Sequence, residues 1–264
     1  MIRRPASYGL VGLLSLFLGA AGADVARRAV RPQATTTHGE WVHIKKGADS
    51  IRAYVAYPEQ KTKAPAVIVI HEIYGITDWE PTVVDRLAKE GFVAVVPDLL
   101  FTKFRVSPAD PDSARKLIGQ LEPDRITADL DATYAYVNSL PAVLKDRVGT
   151  IGFCWGGGES FRYAGHNPNL RAAVVCYGPA PDTAVIRRIR APVLGIYGED
   201  DARINQALPQ VVADMQSAGK TFTREVFPGT GHGFLKPGRQ GSDGPQVERA
   251  WKRILEFYRA RLGG

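Results

Sequence analysis

Three short stretches of this chain could together build a nucleophilic site. The first is Gly152-Phe153-Cys154-Trp155-Gly156-Gly157, placed directly after the apolar run Val148-Gly149-Thr150-Ile151. A cysteine between small residues at a strand-to-helix turn can be lifted off a sheet in a strained conformation, with the next backbone amide, that of Trp155, aimed at a substrate oxygen. Glycine-rich turns of this kind also bind phosphate, but this one lacks the Gly-Lys-Ser/Thr ending of a P-loop and has the wrong glycine spacing for a dinucleotide fold. A thiol nucleophile needs a base and a group to orient that base. His232, in Pro228-Gly229-Thr230-Gly231-His232-Gly233-Phe234, supplies the base, and Asp200, in Gly198-Glu199-Asp200-Asp201, is the expected acid. Asp201 reads instead as a cap for the next helix. Cys, Asp and His then follow one another in the chain order of a nucleophile-elbow hydrolase, each after a successive strand end. His71-Glu72-Ile73-Tyr74-Gly75 ends another apolar strand. Ile73 is placed to give a second oxyanion amide, while Glu72 is a carboxylate at a buried strand end and so needs a partner, either the Cys154 thiol or an arginine.

The elements that must position these residues alternate between strand and helix, which predicts a mainly parallel sheet with helices on both faces. Strands are expected at 41–45, 51–57, 66–70, 92–96, 147–153, 171–176, 193–197 and 222–227, the first two as an antiparallel pair. Helices are expected at 79–90, 113–121, 126–140, from the elbow to 164, and at 183–189, 204–218 and 246–262. The fold class is α/β, with an eight-stranded α/β-hydrolase sheet. The excursion from 101 to 124 reads as a lid or substrate-selecting insertion.

With 264 residues and 45% hydrophobic content, the chain suits one large domain. Its formal charge of +7 is spread out, except for the last helix with Arg249, Lys252, Arg253, Arg259 and Arg261, which reads as a solvated face. No nucleic-acid-binding module is recognisable. Residues 1–23 read as an export signal, with Arg3 and Arg4, the apolar run from Tyr8 to Ala21 and the small-x-small site Ala21-Gly22-Ala23. An uncleaved anchor is the rival reading, although the run is short for a membrane span. Residues 24–39 read as a mobile lead-in and 40–264 as the catalytic domain, exported to the periplasm and more readily a monomer than an obligate oligomer. Cys176 reads as a buried hydrophobe; a disulfide with Cys154 is the structural alternative. The five histidines and two cysteines have no paired ligand spacing, so no metal is expected.

Taken together, His71-Glu72-Ile73-Tyr74-Gly75, Val96-Pro97-Asp98-Leu99, the cysteine elbow, Gly198-Glu199-Asp200-Asp201 and Gly231-His232-Gly233-Phe234 resemble the dienelactone hydrolase family, the carboxymethylenebutenolidases, over roughly residues 40–262. The resemblance implies a Cys154-His232-Asp200 triad that opens enol lactones or esters through an acyl-enzyme, without cofactor. It also implies that Glu72 gates the thiol by holding it at rest and taking its proton when substrate arrives. The family pattern holds the substrate carboxylate with two arginines, at positions occupied here by Thr102 and Lys236. Lysine keeps the charge but not the fork. Lys103 or Arg105 could compensate, and Tyr74 joins the substrate-binding set. A non-dienelactone ester or thioester, an acyl acceptor other than water, and a non-catalytic exported binder are the alternatives to a lactone hydrolase.

Overall fold

The computed structural model describes residues 37–263. The expected signal peptide, and the lead-in up to residue 36, lie outside them. Eight strands form one sheet: β1 (Thr37–Lys46), β2 (Asp49–Pro58), β3 (Ala64–Ile70), β4 (Val93–Pro97), β5 (Val143–Phe153), β6 (Ala172–Cys176), β7 (Val193–Gly198) and β8 (Phe222–Phe227). Their order across the sheet is β1-β2-β4-β3-β5-β6-β7-β8. β1 and β2 are antiparallel to each other, and β2 is antiparallel to β4; every other neighbouring pair is parallel. Strand β1 starts at Thr37, so residues 37–39 belong to the sheet rather than to a lead-in.

The central strands show why a continuous apolar run is needed here. Every residue of β3, β4, β6 and β7 is buried, because helices cover both faces of the parallel region. One core lies under α1 (Trp79–Lys89) and α9 (Pro245–Leu262), the other under α4 (Pro123–Ser139) on the opposite face. Tyr258 of α9 donates a hydrogen bond to the Thr150 carbonyl at 2.7 Å, pinning the last helix to the elbow strand.

The excursion after β4 contains two helices, α2 (Leu99–Phe104) and α3 (Pro111–Ile118), where the sequence predicts one at 113–121. Asp98 starts α2 by accepting from the Phe101 amide at 2.9 Å, and it is itself buried and paired with Arg52 of β2. The Arg52 guanidinium also stacks under the Phe101 ring, 3.8 Å from its centroid. The helix predicted at 204–218 is two helices, α7 (Ala202–Asn205) and α8 (Leu208–Ser217), with Pro209 in the first turn of α8 where proline is tolerated. The remaining helices are α5 (Trp155–His166) and α6 (Thr183–Arg188).

Candidate active site

Strand β5 runs into α5 through Cys154, whose backbone sits at φ 56° and ψ −117°. A non-glycine residue there costs on the order of 1–3 kcal/mol and persists only where its surroundings enforce it. Those surroundings are crowded backbone. A Cβ on Gly152 would sit 1.8 Å from the Gly156 carbonyl oxygen, and one on Gly156 would sit 2.3 Å from the carbonyl oxygen of His71. The glycines around the cysteine are therefore required by close approach of main chain to main chain. The Cys154 amide donates to the Cys176 carbonyl at 3.0 Å, tying the turn to the end of β6. Both cysteines are free thiols.

A cavity of about 510 Å³ opens over this turn and is lined by Glu72, Ile73, Tyr74, Arg115, Cys154, Trp155, Arg203, His232 and Arg239, among others. It brings together the expected nucleophile, the expected base, both expected oxyanion residues, Tyr74 and Glu72. The expected acid is different. His232 Nδ1 lies 2.5 Å from Asp201 Oδ2, and a carboxylate can only accept, so Nδ1 carries the proton and Nε2 is left as the acceptor. Asp200, the acid expected from the sequence, points away and accepts from Gln240 Nε2 at 2.6 Å on the exposed side of the turn. Asp201 stands at the N-cap of α7 yet makes no side-chain capping bond there, because its carboxylate is spent on His232. Neighbouring residues of one tight turn point in opposite directions, and the buried one faces the imidazole.

Glu72 is buried, and its partner is neither the thiol nor an arginine. Its Oε2 accepts from Lys236 Nζ at 3.0 Å. Lys236 also lies 5.1 Å from the centroid of the Trp79 ring and 5.7 Å from that of Tyr74. The cation expected to hold a substrate carboxylate is thus already engaged by a carboxylate of the protein. Of the other expected substrate contacts, Tyr74 lines the cavity, whereas Thr102, Lys103 and Arg105 do not reach it. Thr102 is buried inside α2, Lys103 points to solvent, and Arg105 pairs with Asp49 at 3.1 Å. The cause is α2 itself: it turns Leu99, Leu100 and Thr102 inward, and Arg105 closes it in a left-handed conformation that aims its side chain back toward β2.

Burial pushes the Cys154 thiol up to about 11. The negative charge of Glu72 adds to that rise, while a hydrogen bond from the Trp155 amide and the positive charge of Arg203 oppose it. At neutral pH the resting sulfur is a thiol.

Three groups of residues escape a reading of the sequence. His71 is fully buried: its Nδ1 donates to the Glu72 carbonyl at 2.6 Å, its Nε2 accepts from the Leu99 amide at 3.1 Å, and its ring stacks on Trp155 with centroids 5.6 Å apart. Its position between a strand and Glu72 in the sequence was the available signal. Tyr177, at φ 42°, sets its ring edge-on to His232 with centroids 5.1 Å apart. Arg115, Arg203 and Arg239 line the cavity from three separate segments, and no local pattern marks them. Among the described residues, no group of three or more His, Cys, Asp or Glu side chains is arranged to hold a metal ion.

A strained strand-to-helix turn after β5, on a sheet of this strand order, defines the α/β-hydrolase fold. The sequence profile of the Dienelactone hydrolase family matches residues 51–262, and the chain belongs to that family. It is a hydrolase of the type that acts on ester and lactone bonds. A provisionally named carboxymethylenebutenolidase of Salmonella typhimurium is 33% identical over 239 residues, which are 84% of this chain and 86% of that protein. One of the same name from Methylorubrum extorquens is 31% identical over 222 residues, covering 79% of this chain and 76% of that one. The crystal structure of a provisionally named dienelactone hydrolase from Klebsiella pneumoniae superposes with a TM-score of 0.77 at 27% identity, covering 84% of this chain and 98% of the other.

Proposed function

We propose that the protein hydrolyses an enol lactone or a related carboxylic ester through a Cys154-His232-Asp201 triad and a thioester acyl-enzyme. The observation that carries this reading is that Cys154, in its strained turn, shares one cavity with an imidazole whose Nδ1 is fixed by a buried carboxylate. His232 Nε2 takes the thiol proton as substrate enters, and the sulfur attacks the carbonyl carbon. The amides of Trp155 and Ile73 receive the developing oxyanion; each such donor is worth about 3 kcal/mol of transition-state stabilisation. The ring C–O bond breaks, and the enolate takes its proton from His232, at oxygen or at carbon, which leaves the imidazole neutral again. Water then gives its proton to His232 and attacks the thioester, the C–S bond breaks, and the returning proton restores the thiol. The cycle closes with these residues and water.

In this reading Glu72 gates the sulfur by charge and does not take its proton: burial first, and the negative charge of Glu72 in addition, keep the resting thiol protonated, which guards it against oxidation in an oxidising compartment. Export fits the same picture. Residues 1–23 are proposed as a cleaved signal, and mass determination of the protein's N-terminus from a periplasmic fraction tests it. The domain is proposed to act as a monomer.

Hydrolysis of p-nitrophenyl acetate tests the triad. Cys154→Ala should lower kcat by about 10⁴-fold or more, and rapid quenching of the unmodified protein should trap an acetyl group on Cys154 by mass spectrometry. Full turnover by the alanine variant would end the proposal. An acyl-acceptor role other than hydrolysis would show as product transferred to an added alcohol or amine in preference to water.

A further inference from the structure

The end of the sheet opposite Cys154 collects positive charge that the catalytic chemistry does not use. Strands β3, β5, β6, β7 and β8 are parallel neighbours, so the residues that precede them lie along one rim. Lys63 precedes β3, Arg147 precedes the regularly paired part of β5 at Val148, and Arg171 precedes β6. Arg190 and Lys220 come just ahead of β7 and β8. Backbone bonds join these starts sideways: the Arg171 amide donates to the Val148 carbonyl at 3.0 Å, the Ala173 amide to the Pro192 carbonyl at 3.1 Å and the Val193 amide to the Thr221 carbonyl at 2.9 Å. Five strands about 4.8 Å apart make a rim ~19 Å long. The last turn of α9 reaches it and brings Arg261; a Cβ on Gly149, near the start of β5, would sit 3.4 Å from Leu262 Cδ1. A cavity of about 540 Å³ there is lined by Arg171, Arg190, Arg261, Asp146 and Leu170, among others. Little in the protein neutralises this end. Arg171 Nε donates to the Asp146 carbonyl at 3.2 Å, and the side chains of Arg147, Arg190 and Arg261 have no hydrogen-bond or ion-pair partner among the described residues. Glu59, Glu90 and Asp146 supply negative charge at the same end, but Glu90 is paired with Arg259 at 2.6 Å and the Asp146 carboxylate accepts from Asn138 Nδ2 at 3.0 Å. Beside Lys145 stands Leu144, 36% exposed, one of three large apolar side chains that the described residues leave in solvent.

We propose that this rim is a docking face for an anionic phospholipid bilayer, with Arg147, Arg171, Arg190 and Arg261 receiving lipid phosphates and Leu144 entering the headgroup layer. Guanidinium groups suit phosphate oxygens, and several basic groups on one face add their attraction to a negative surface. A surface fits better than a small soluble anion, because the cations run along the rim beyond the one cavity and an apolar side chain stands among them. The course of the chain favours the same partner. Pro58 of β2 lies opposite Thr37 of β1, and Ala56 of β2 lies opposite Ala94 of β4, so β1 begins at the basic end. Residues 1–36, with their apolar run from Tyr8 to Ala21, are therefore joined to the domain on that side. Cys154 follows Arg147 by seven residues of strand, or ~23 Å at about 3.3 Å per residue. A bilayer against the rim leaves the catalytic cavity open to solvent. The inference does not depend on the hydrolase reading.

The test is co-sedimentation of the full-length protein with vesicles of phosphatidylcholine alone and with vesicles that also carry about 30% phosphatidylglycerol. The neutral vesicles read whatever the apolar leader contributes, and the excess on the charged ones reads the rim. That excess should be large in about 50 mM sodium chloride and nearly gone in about 500 mM, a measurement that needs no variant. The triple variant Arg147→Gln/Arg190→Gln/Arg261→Gln should lose about 100-fold of the phosphatidylglycerol-dependent affinity. Its thermal unfolding should be unchanged, since none of the three side chains has a partner to lose. Equal binding to the two kinds of vesicle, an excess indifferent to salt, or a folded triple variant that binds as before overturns the proposal. So does release from the charged vesicles by about 5 mM glycerol 3-phosphate at constant ionic strength, which would mark a small-ligand site, and so does a DNA duplex that binds as tightly as the vesicles.

Discussion

Two buried carboxylates set negative charge near Cys154, and their partners differ in kind. Asp201 holds an imidazole, whereas Glu72 holds an ammonium. An imidazole with Nδ1 anchored still offers Nε2 as an acceptor, so the Asp201 side can take and return a proton. An ammonium has donors only, so the Glu72 side fixes charge and shape without relaying protons. In the proposed mechanism the same residue type thus supports a base on one side of the sulfur and a brace on the other, and the partner decides which.

The sharpest way to break that comparison is at the acid. Asp201→Asn should lower kcat by about 10³-fold, by losing both the tautomer and the charge that stabilises the imidazolium, while Asp200→Asn should change it by less than about twofold. Steady-state kinetics on an aryl ester decides it, and the reverse ranking would restore Asp200. On the other side the largest effect should be on folding. Lys236→Met leaves Glu72 buried without its cation and should cost about 3 kcal/mol in urea denaturation. Adding Glu72→Gln to it should recover much of that loss. The smallest expected effect is on the thiol. Glu72 raises the Cys154 pKa, so Glu72→Gln lowers it and increases the thiolate fraction below about 11. Alkylation by iodoacetamide at pH 8 should then speed up about fivefold, and its pH profile should shift to lower pH. An unshifted profile would remove Glu72 from control of the sulfur.

How much of this could be read from the sequence varies with the physics of each residue. The elbow was legible because close packing of backbone leaves glycine as the only choice at Gly152 and Gly156, and such constraints write themselves into short motifs. All eight strands were legible as apolar runs, since a sheet covered on both faces admits little else. The choice between Asp200 and Asp201 was not, because adjacent residues in one turn differ only in the direction their side chains take. The charged residues of the excursion were misplaced for a related reason. Without α2, Lys103 and Arg105 sit at a plausible distance along the chain; with it, the helix turns one to solvent and the other to Asp49. Arg203 and Arg239 reach the cavity only because β7 and β8 end side by side, which is a property of topology.

His71 joins segments that the chain itself keeps far apart. One imidazole grips the carbonyl next to Ile73, receives the first amide of α2 and lies flat on Trp155. The two arms that would cradle a tetrahedral intermediate, one after β3 and one after β5, are therefore keyed to a common peg. Displacing that peg, even by a change at Leu99 that touches no substrate, should let both arms drift together and blunt the enzyme's grip on charge at the moment of bond making.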